Sequence, residues 1–117
     1  YSLRRRIDSL TRMKTIPLAE FAALFGPDTT LIDVREPGEY VQAHVPGAVL
    51  IPLAQLPDRV GEVPAGGTVY VICHSGNRSK VGAEVLAYHG RDAVSVDGGT
   101  QGWIDAGRDV VQGREPR

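Results

Sequence analysis

Apolar residues form short runs along this chain, and the segments between the runs mix polar and apolar residues at helical spacing. The runs at 31–34, 68–72 and 93–96 are almost continuously apolar and rich in β-branched or aromatic residues, as in strands buried on both faces. Because parallel strands need crossover connections, this alternation predicts an α/β fold. We expect an open, mainly parallel central sheet with helices on both faces.

Helix signals fall between these runs. Pro17 suits the first turn of a helix that ends near Gly26. Further helices are predicted to start at Pro37, to cover 55–60 and 79–89, and to include Trp103 and Ile104. Gly90 has the position of a helix-terminating glycine, and Gly98-Gly99 ends the last apolar run before the final helix.

The length of 117 residues fits one domain, which we place at 15–112. Residues 1–14 carry isolated aliphatic side chains at near-helical spacing, so we predict an extension or a linker helix. The cluster Arg4-Arg5-Arg6 leaves a basic, partner-binding tail as the alternative. Residues 113–117 are predicted to form a C-terminal tail.

Composition argues against several kinds of partner. The 13 basic and 14 acidic residues give a net charge of −1, so no overall field attracts nucleic acid or a membrane. No apolar run is long enough for a membrane span, and no secretory signal is recognisable. A single cysteine cannot form an intramolecular disulfide, which fits a reducing compartment, so we expect a cytoplasmic location.

Cys73 lies where the run at 68–72 ends and the helix predicted over 79–89 is about to begin. Ligands of open α/β sheets bind at such carboxyl ends of strands. A helix N-terminus lowers the pKa of a nearby thiol, and Gly76 allows successive backbone N–H groups to converge on an anion. We predict a reactive thiolate that is not packed away from solvent, the alternative being an inert buried cysteine.

The residues that follow Cys73 are predicted to form an anion-binding loop: His74, Ser75, Gly76, Asn77, Arg78 and Ser79. A general-base role for His74 is disfavoured, because adjacent residues on a tight loop usually point apart. Ser75 and Asn77 are expected to supply hydrogen bonds within the loop or to line its entrance. Arg78 has two possible roles, attraction of an anionic substrate or an ion pair that fixes the loop.

Asp33 and Arg35 come at the end of the run at 31–34 and should therefore lie at the same edge of the sheet. We expect them to support the cysteine loop through an ion pair in which Arg35 meets Asp33 or Glu39. The three histidines are too scattered in the sequence to predict a metal site.

The loop Cys-His-Ser-Gly-Asn-Arg-Ser at 73–79 resembles the active loop of rhodanese-like sulfurtransferases, which has the form Cys-x-x-Gly-x-Arg. Asp33-Val-Arg35, Glu39-Tyr40 and the segment 44–48 resemble the upstream signature of that family, and Gly98-Gly99 with Trp103 resembles its downstream one. The resemblance covers about 15–110. Ala43, where the family often has glycine, is a minor departure.

This resemblance implies a single-domain sulfurtransferase that works by double displacement on Cys73. The thiolate takes a sulfane sulfur from a small-molecule donor such as thiosulfate or a persulfide and then passes it to cyanide or a thiol. A sulfur-relay protein is a further possible partner, and no cofactor is implied. In this scheme the loop amides stabilise the charge on the transferred sulfur, and Arg78 attracts an anionic donor.

Two other functions stay open at this point. A cysteine phosphatase or arsenate reductase also places cysteine in a loop that ends in arginine. However, four residues separate Cys73 from Arg78, whereas the related phosphatases have five and form a wider ring. The second alternative is a persulfide-carrier or interaction module of a larger protein.

Overall fold

A parallel sheet of five strands forms the centre of the protein in the computed structural model, which describes residues 13–117. The strands are β1 (Lys14–Pro17), β2 (Thr30–Asp33), β3 (Val49–Leu50), β4 (Thr68–Ile72) and β5 (Asp92–Asp97). They lie side by side in the order β1-β5-β4-β2-β3, and every pairing is parallel. The predicted α/β fold with a parallel central sheet is confirmed.

Helical segments pack on both faces of this sheet. They are α1 (Leu18–Leu24), α2 (Pro37–Gln42), a 3-10 segment (Leu53–Glu62), α3 (Asn77–Tyr88) and α4 (Gly99–Asp105). Successive residues of a strand point to opposite faces. Ile32 therefore belongs to one core cluster with Leu86 of α3, whereas Leu31 belongs to a second cluster with Phe21 of α1 and Trp103 of α4.

Strand β1 was not expected from the sequence. It pairs with β5, with Lys14 opposite Val94 and Pro17 opposite Asp97, and it begins at a residue that we assigned to the extension. The segment Lys-Thr-Ile-Pro has no apolar run because it is an edge strand, where exposed polar residues and a terminal proline are tolerated. The predicted helix follows directly and begins at Leu18. The rest of the predicted extension, 1–12, lies outside the described residues.

The C-terminal residues 113–117 contact the body of the domain. The backbone N–H of Gly47 donates to the carbonyl of Pro116 at 2.8 Å. Nε2 of the buried His44 lies 2.8 Å from the carbonyl oxygen of Glu115, and its Nδ1 lies 2.8 Å from that of Tyr40. The histidine thus connects this terminal segment to α2. Within 13–117, no helix combines the length and the apolar character needed to cross a membrane.

Candidate functional site

The predicted site residues meet at the carboxyl edge of the sheet. Asp33 is the last residue of β2 and is opposite Ile72, the last residue of β4, so Cys73 emerges beside it. The neighbouring strand β5 ends at Asp97, next to the start of α4. A parallel sheet brings these ends together because all its strands run in one direction.

The loop after β4 turns back on itself so that its amides face the cysteine sulfur. The N–H of Gly76 donates to Sγ of Cys73 at 3.1 Å, and Oγ of Ser79 lies 3.4 Å from the same sulfur. Gly76 has φ +119°, a backbone conformation that side chains other than glycine rarely adopt. Helix α3 begins at Asn77, two residues earlier than predicted, and this brings its first turn against the thiol.

The opposite side of this loop is held by α4. The carbonyl oxygens of Cys73 and His74 accept hydrogen bonds from the N–H groups of Thr100 (2.8 Å) and Gln101 (3.0 Å), which lie in the first turn of that helix. A Cβ at Gly99 would lie 2.5 Å from the carbonyl oxygen of His74, so only glycine permits this approach. The glycine pair, which was predicted to end the last apolar run, therefore also fixes the shape of the cysteine loop.

A buried pair of hydroxyl groups lies beneath the sulfur. Oγ of Ser79 is 2.8 Å from Oγ of Ser95 and also donates to the carbonyl of Gly76 at 3.1 Å. Both serines are fully buried. The sequence analysis missed Ser95, although a lone polar residue in the apolar run at 93–96 was a usable signal, because buried hydroxyls need a partner.

The pKa of Cys73 results from opposing influences. Burial raises the pKa of the thiol, whereas hydrogen bonds from the Ser79 hydroxyl and from the backbone amides of Ser79, Gly76 and Ser75 lower it. The hydrogen bonds prevail, so the pKa lies below its ordinary value. The site therefore makes the thiolate more accessible than it is in an ordinary cysteine.

Cys73 is more enclosed than we expected. The residue is 1% exposed and is part of the apolar core cluster on the α3 side of the sheet. Its sulfur nevertheless contacts Gly76 and Ser79, both through polar atoms. His74, Ser75 and Asn77 of the same loop are exposed. The environment is thus enclosed but polar around Sγ, in contrast to that of an inert core cysteine.

Arg78 forms an ion pair with Glu39 of α2. Its two terminal nitrogens lie 2.7 and 2.9 Å from the two carboxylate oxygens, and the side chains are 37% and 36% exposed. The hydrogen bonds from Arg78 lower the pKa of Glu39 to about 2, and those to Glu39 raise the pKa of Arg78. The guanidinium, for which both an anionic substrate and an ion pair were considered, therefore has a carboxylate partner.

Arg35 pairs with Asp33, one of the two partners that the sequence left open. Nε lies 3.0 Å from Oδ1, Nη2 lies 2.9 Å from Oδ2, and Nη2 also donates to the carbonyl of Ala43. The side chains are 6% and 0% exposed. This buried pair ties the end of β2 to the segment that follows α2.

A cleft of about 250 Å³ opens beside the cysteine loop. Polar side chains from α2, α4 and two loops line it, with Ala43 and Ile104 as the apolar part: Arg35, Glu39, Gln42, His74, Thr100 and Gln101. Oγ1 of Thr100 is buried and has no hydrogen-bond partner among the described residues. Sequence reasoning missed Gln42, Thr100 and Gln101, because folding brings them together from separate elements.

Comparison with known proteins gives consistent matches. The family model for the rhodanese-like domain matches residues 18–106. The "Putative sulfur carrier protein YrkF" of Bacillus subtilis (strain 168) is 34% identical over 99 residues, which cover 82% of this chain. This chain spans about half of that relative's length, 54%.

Two further matches cover nearly the whole of the other protein. The thiosulfate sulfurtransferase GlpE of Pseudomonas syringae pv. syringae (strain B728a) is 33% identical, with coverage of 80% of this chain and 90% of the relative. The crystal structure of a rhodanese-related protein from Thermoplasma volcanium superimposes with a TM-score of 0.79 at 32% identity, and the match covers 87% of this chain and 99% of that one.

Proposed function

This chain belongs to the rhodanese-like domain family, and from that premise we propose that it is a sulfurtransferase that works through a persulfide on Cys73. The observation that carries the proposal is the polar surroundings of Sγ, to which the Gly76 amide N–H donates at 3.1 Å and beside which Oγ of Ser79 lies at 3.4 Å. Such polar groups stabilise a thiolate before the reaction and an anionic sulfur after it.

In the first half-reaction the Cys73 thiolate attacks the outer, sulfane sulfur of a donor. With thiosulfate, a new S–S bond to Cys73 forms while the S–S bond of the donor breaks, and the electron pair leaves with sulfite. With an organic persulfide, the leaving group is a thiolate. Either donor leaves one extra sulfur atom on Cys73.

In the second half-reaction a nucleophile attacks that outer sulfur. Cyanide accepts it to give thiocyanate, and a thiol accepts it to give a new persulfide. The electron pair of the broken S–S bond returns to Cys73 and restores the thiolate. Four residues separate Cys73 from Arg78, and this short loop favours a single sulfur atom over a tetrahedral phosphate group.

Replacing the nucleophile tests this proposal. Purified protein should transfer sulfur from thiosulfate or a persulfide to cyanide, and mass spectrometry after donor treatment should show one added sulfur on Cys73. Cys73→Ser should abolish both results while circular dichroism shows an unchanged fold, because Ser differs from Cys by one atom. Undiminished transfer by that variant, or an unmodified Cys73 after donor treatment, would refute the mechanism.

The second candidate is a carrier that holds the persulfide for another protein. The name of the Bacillus subtilis relative, a sulfur carrier, favours it. A carrier would acquire one sulfur on Cys73 but would release it slowly to cyanide or small thiols. Single-turnover release measured against catalytic turnover therefore separates the two functions.

The cytoplasmic location stays a prediction from the single cysteine.

A further inference from the structure

We infer that the site takes its sulfur from weakly charged organic persulfides in preference to dianionic thiosulfate, with Glu39 as the residue that sets this preference. The inference rests on the proposed sulfur transfer through Cys73. It comes from the way in which the two arginines at the site are paired.

Both guanidinium groups near the cysteine loop are compensated. Arg78 makes a two-point ion pair with Glu39, at 2.7 and 2.9 Å. Arg35 makes a buried two-point pair with Asp33. Among the described residues, Arg35 is the one lysine or arginine that lines the cleft, and Arg78 lies next to it as the partner of the lining residue Glu39. The cleft therefore offers an incoming anion no uncompensated arginine charge.

Because carboxylates already neutralise both arginine charges, a sulfur donor is disfavoured more strongly the more negative charge it carries. Attack by the Cys73 thiolate on thiosulfate brings three negative charges together, whereas attack on an organic persulfide brings two when the persulfide is ionised and one when it is protonated. Like charges that approach closely without a nearby cation repel each other strongly in a partly desolvated site. The ion pair of Glu39 with Arg78 thus selects against the dianion.

The remaining lining of the cleft suits an organic donor. Gln42, His74 and Gln101 offer neutral hydrogen-bonding groups, and Ile104 offers an apolar surface. An amide-bearing thiol fits the cleft volume of about 250 Å³ and could engage such groups, whereas thiosulfate would leave much of it empty.

The transfer step for such a donor balances without any further reactant. Cys73–S⁻ attacks the outer sulfur of R–S–SH, the new S–S bond forms, and the S–S bond of the donor breaks. The products are Cys73–S–SH and R–S⁻, so the proton remains on the transferred sulfur and the electron pair leaves with the donor thiolate.

Three donors of graded charge test the inference. We would follow persulfide formation on Cys73 by quenched-flow mass spectrometry with thiosulfate, methanethiosulfonate and the persulfide of N-acetylcysteine amide. The second-order rate constant should rise in that order for the unaltered protein. Glu39→Gln should raise the constant for thiosulfate about tenfold, because it frees the charge of Arg78, and should raise the constant for the organic persulfide by a smaller factor, because that donor carries less negative charge.

Glu39→Gln is a mild change for the fold. The pair is more than one-third exposed, and glutamine keeps an oxygen that can accept the hydrogen bond from the backbone N–H of Glu36. Glu62→Gln is the matched control. Its carboxylate makes the same two-point pair with Arg59, at 2.8 Å, on the remote 3-10 segment. The control should leave all three rate constants unchanged.

Salt dependence gives a second readout. The rate with thiosulfate should rise with ionic strength for the unaltered protein, because salt screens the repulsion between the two anions, and should fall with salt for Glu39→Gln, because salt then screens the attraction to Arg78. The double variant Glu39→Gln with Arg78→Gln should lose the increase in the thiosulfate rate constant that Glu39→Gln alone gives.

The possible failures are distinguishable. If no donor adds sulfur to Cys73, the proposed function itself is wrong. If thiosulfate is the fastest donor of the three, or if Glu39→Gln leaves its rate constant within twofold of the unaltered protein, the inference about Glu39 is wrong while sulfur transfer stands.

Discussion

Two arginine–carboxylate pairs lie at the candidate site, and they differ in how deeply they are buried. The inner pair, Asp33 with Arg35, has side-chain exposures of 0% and 6%, whereas the outer pair, Glu39 with Arg78, has exposures of 36% and 37%. Both are two-point pairs with similar distances. The two pairs therefore make the same kind of contact, and they differ in how far each is exposed to solvent.

Because of this difference in burial, the inner pair supports the fold, whereas the outer pair can be altered to change the charge at the site. An inner charge that loses its partner stays out of water, so the pair behaves as a fixed part of the fold. An outer charge that loses its partner is solvated at once, so the pair contributes little to stability. The outer pair can be changed to alter the charge that a substrate meets without damage to the fold.

Removal of the inner carboxylate should have the largest effect. Asp33→Ala leaves the guanidinium of Arg35 buried without its partner, and we expect a loss of about 3–5 kcal/mol in the free energy of unfolding. Urea denaturation measures it. Glu62→Ala, in an exposed pair of the same geometry, is the control and should change stability little. Equal losses for the two variants would remove the distinction between inner and outer pairs.

Removal of a buried hydroxyl next to Cys73 should have an intermediate effect. Ser79→Ala removes the hydroxyl whose hydrogen bond with the sulfur lowers the pKa of Cys73, so that pKa should rise. The pH dependence of iodoacetamide alkylation measures the thiolate fraction, and its midpoint should move to higher pH. Ser75→Ala keeps the backbone amide and is the control. An unmoved midpoint for Ser79→Ala would exclude the hydroxyl from thiolate stabilisation.

Low pH should have the smallest effect on the free energy of unfolding, through the outer pair of Glu39 and Arg78. Arg78 lowers the pKa of Glu39 from 4.5 to about 2, so the stabilisation is complete above about pH 4.5 and disappears as the pH falls towards 2. Because the pair is more than one-third exposed, we expect it to contribute less than about 1 kcal/mol. Unfolding of Glu39→Gln and the unaltered protein should converge at pH 2 and differ slightly at pH 6. A constant difference at all pH values would contradict the assignment.

Local patterns explain what the sequence could predict. The buried strands and the loop at 73–79 follow from runs of apolar residues and from one contiguous motif, so the parallel sheet was predictable. Strand β1 was not, because its apolar content is limited to Ile16 between polar or exposed neighbours. An edge strand does not need two apolar faces, and its pattern is correspondingly weak.

Contacts between residues that are far apart in the sequence were harder to predict. Arg78 pairs with Glu39, 39 positions earlier in the sequence, whereas the sequence analysis considered Glu39 only as a partner for Arg35. Ser95 reaches Ser79 through strand register, and Thr100 reaches the carbonyl of Cys73 through the turn at Gly98-Gly99. Composition and periodicity carry no information about such pairings, since folding alone sets them.

The contact between α4 and the carbonyls of Cys73 and His74 has a consequence during synthesis. Residues 98–105 leave the ribosome well after Cys73, so the cysteine is made before the part of the chain that shapes its loop. Until α4 docks, those carbonyls lack their two amide donors and the thiol lacks its fixed surroundings. The shape of the cysteine loop therefore depends on a segment that is synthesised after it, and that shape is fixed only once α4 has docked.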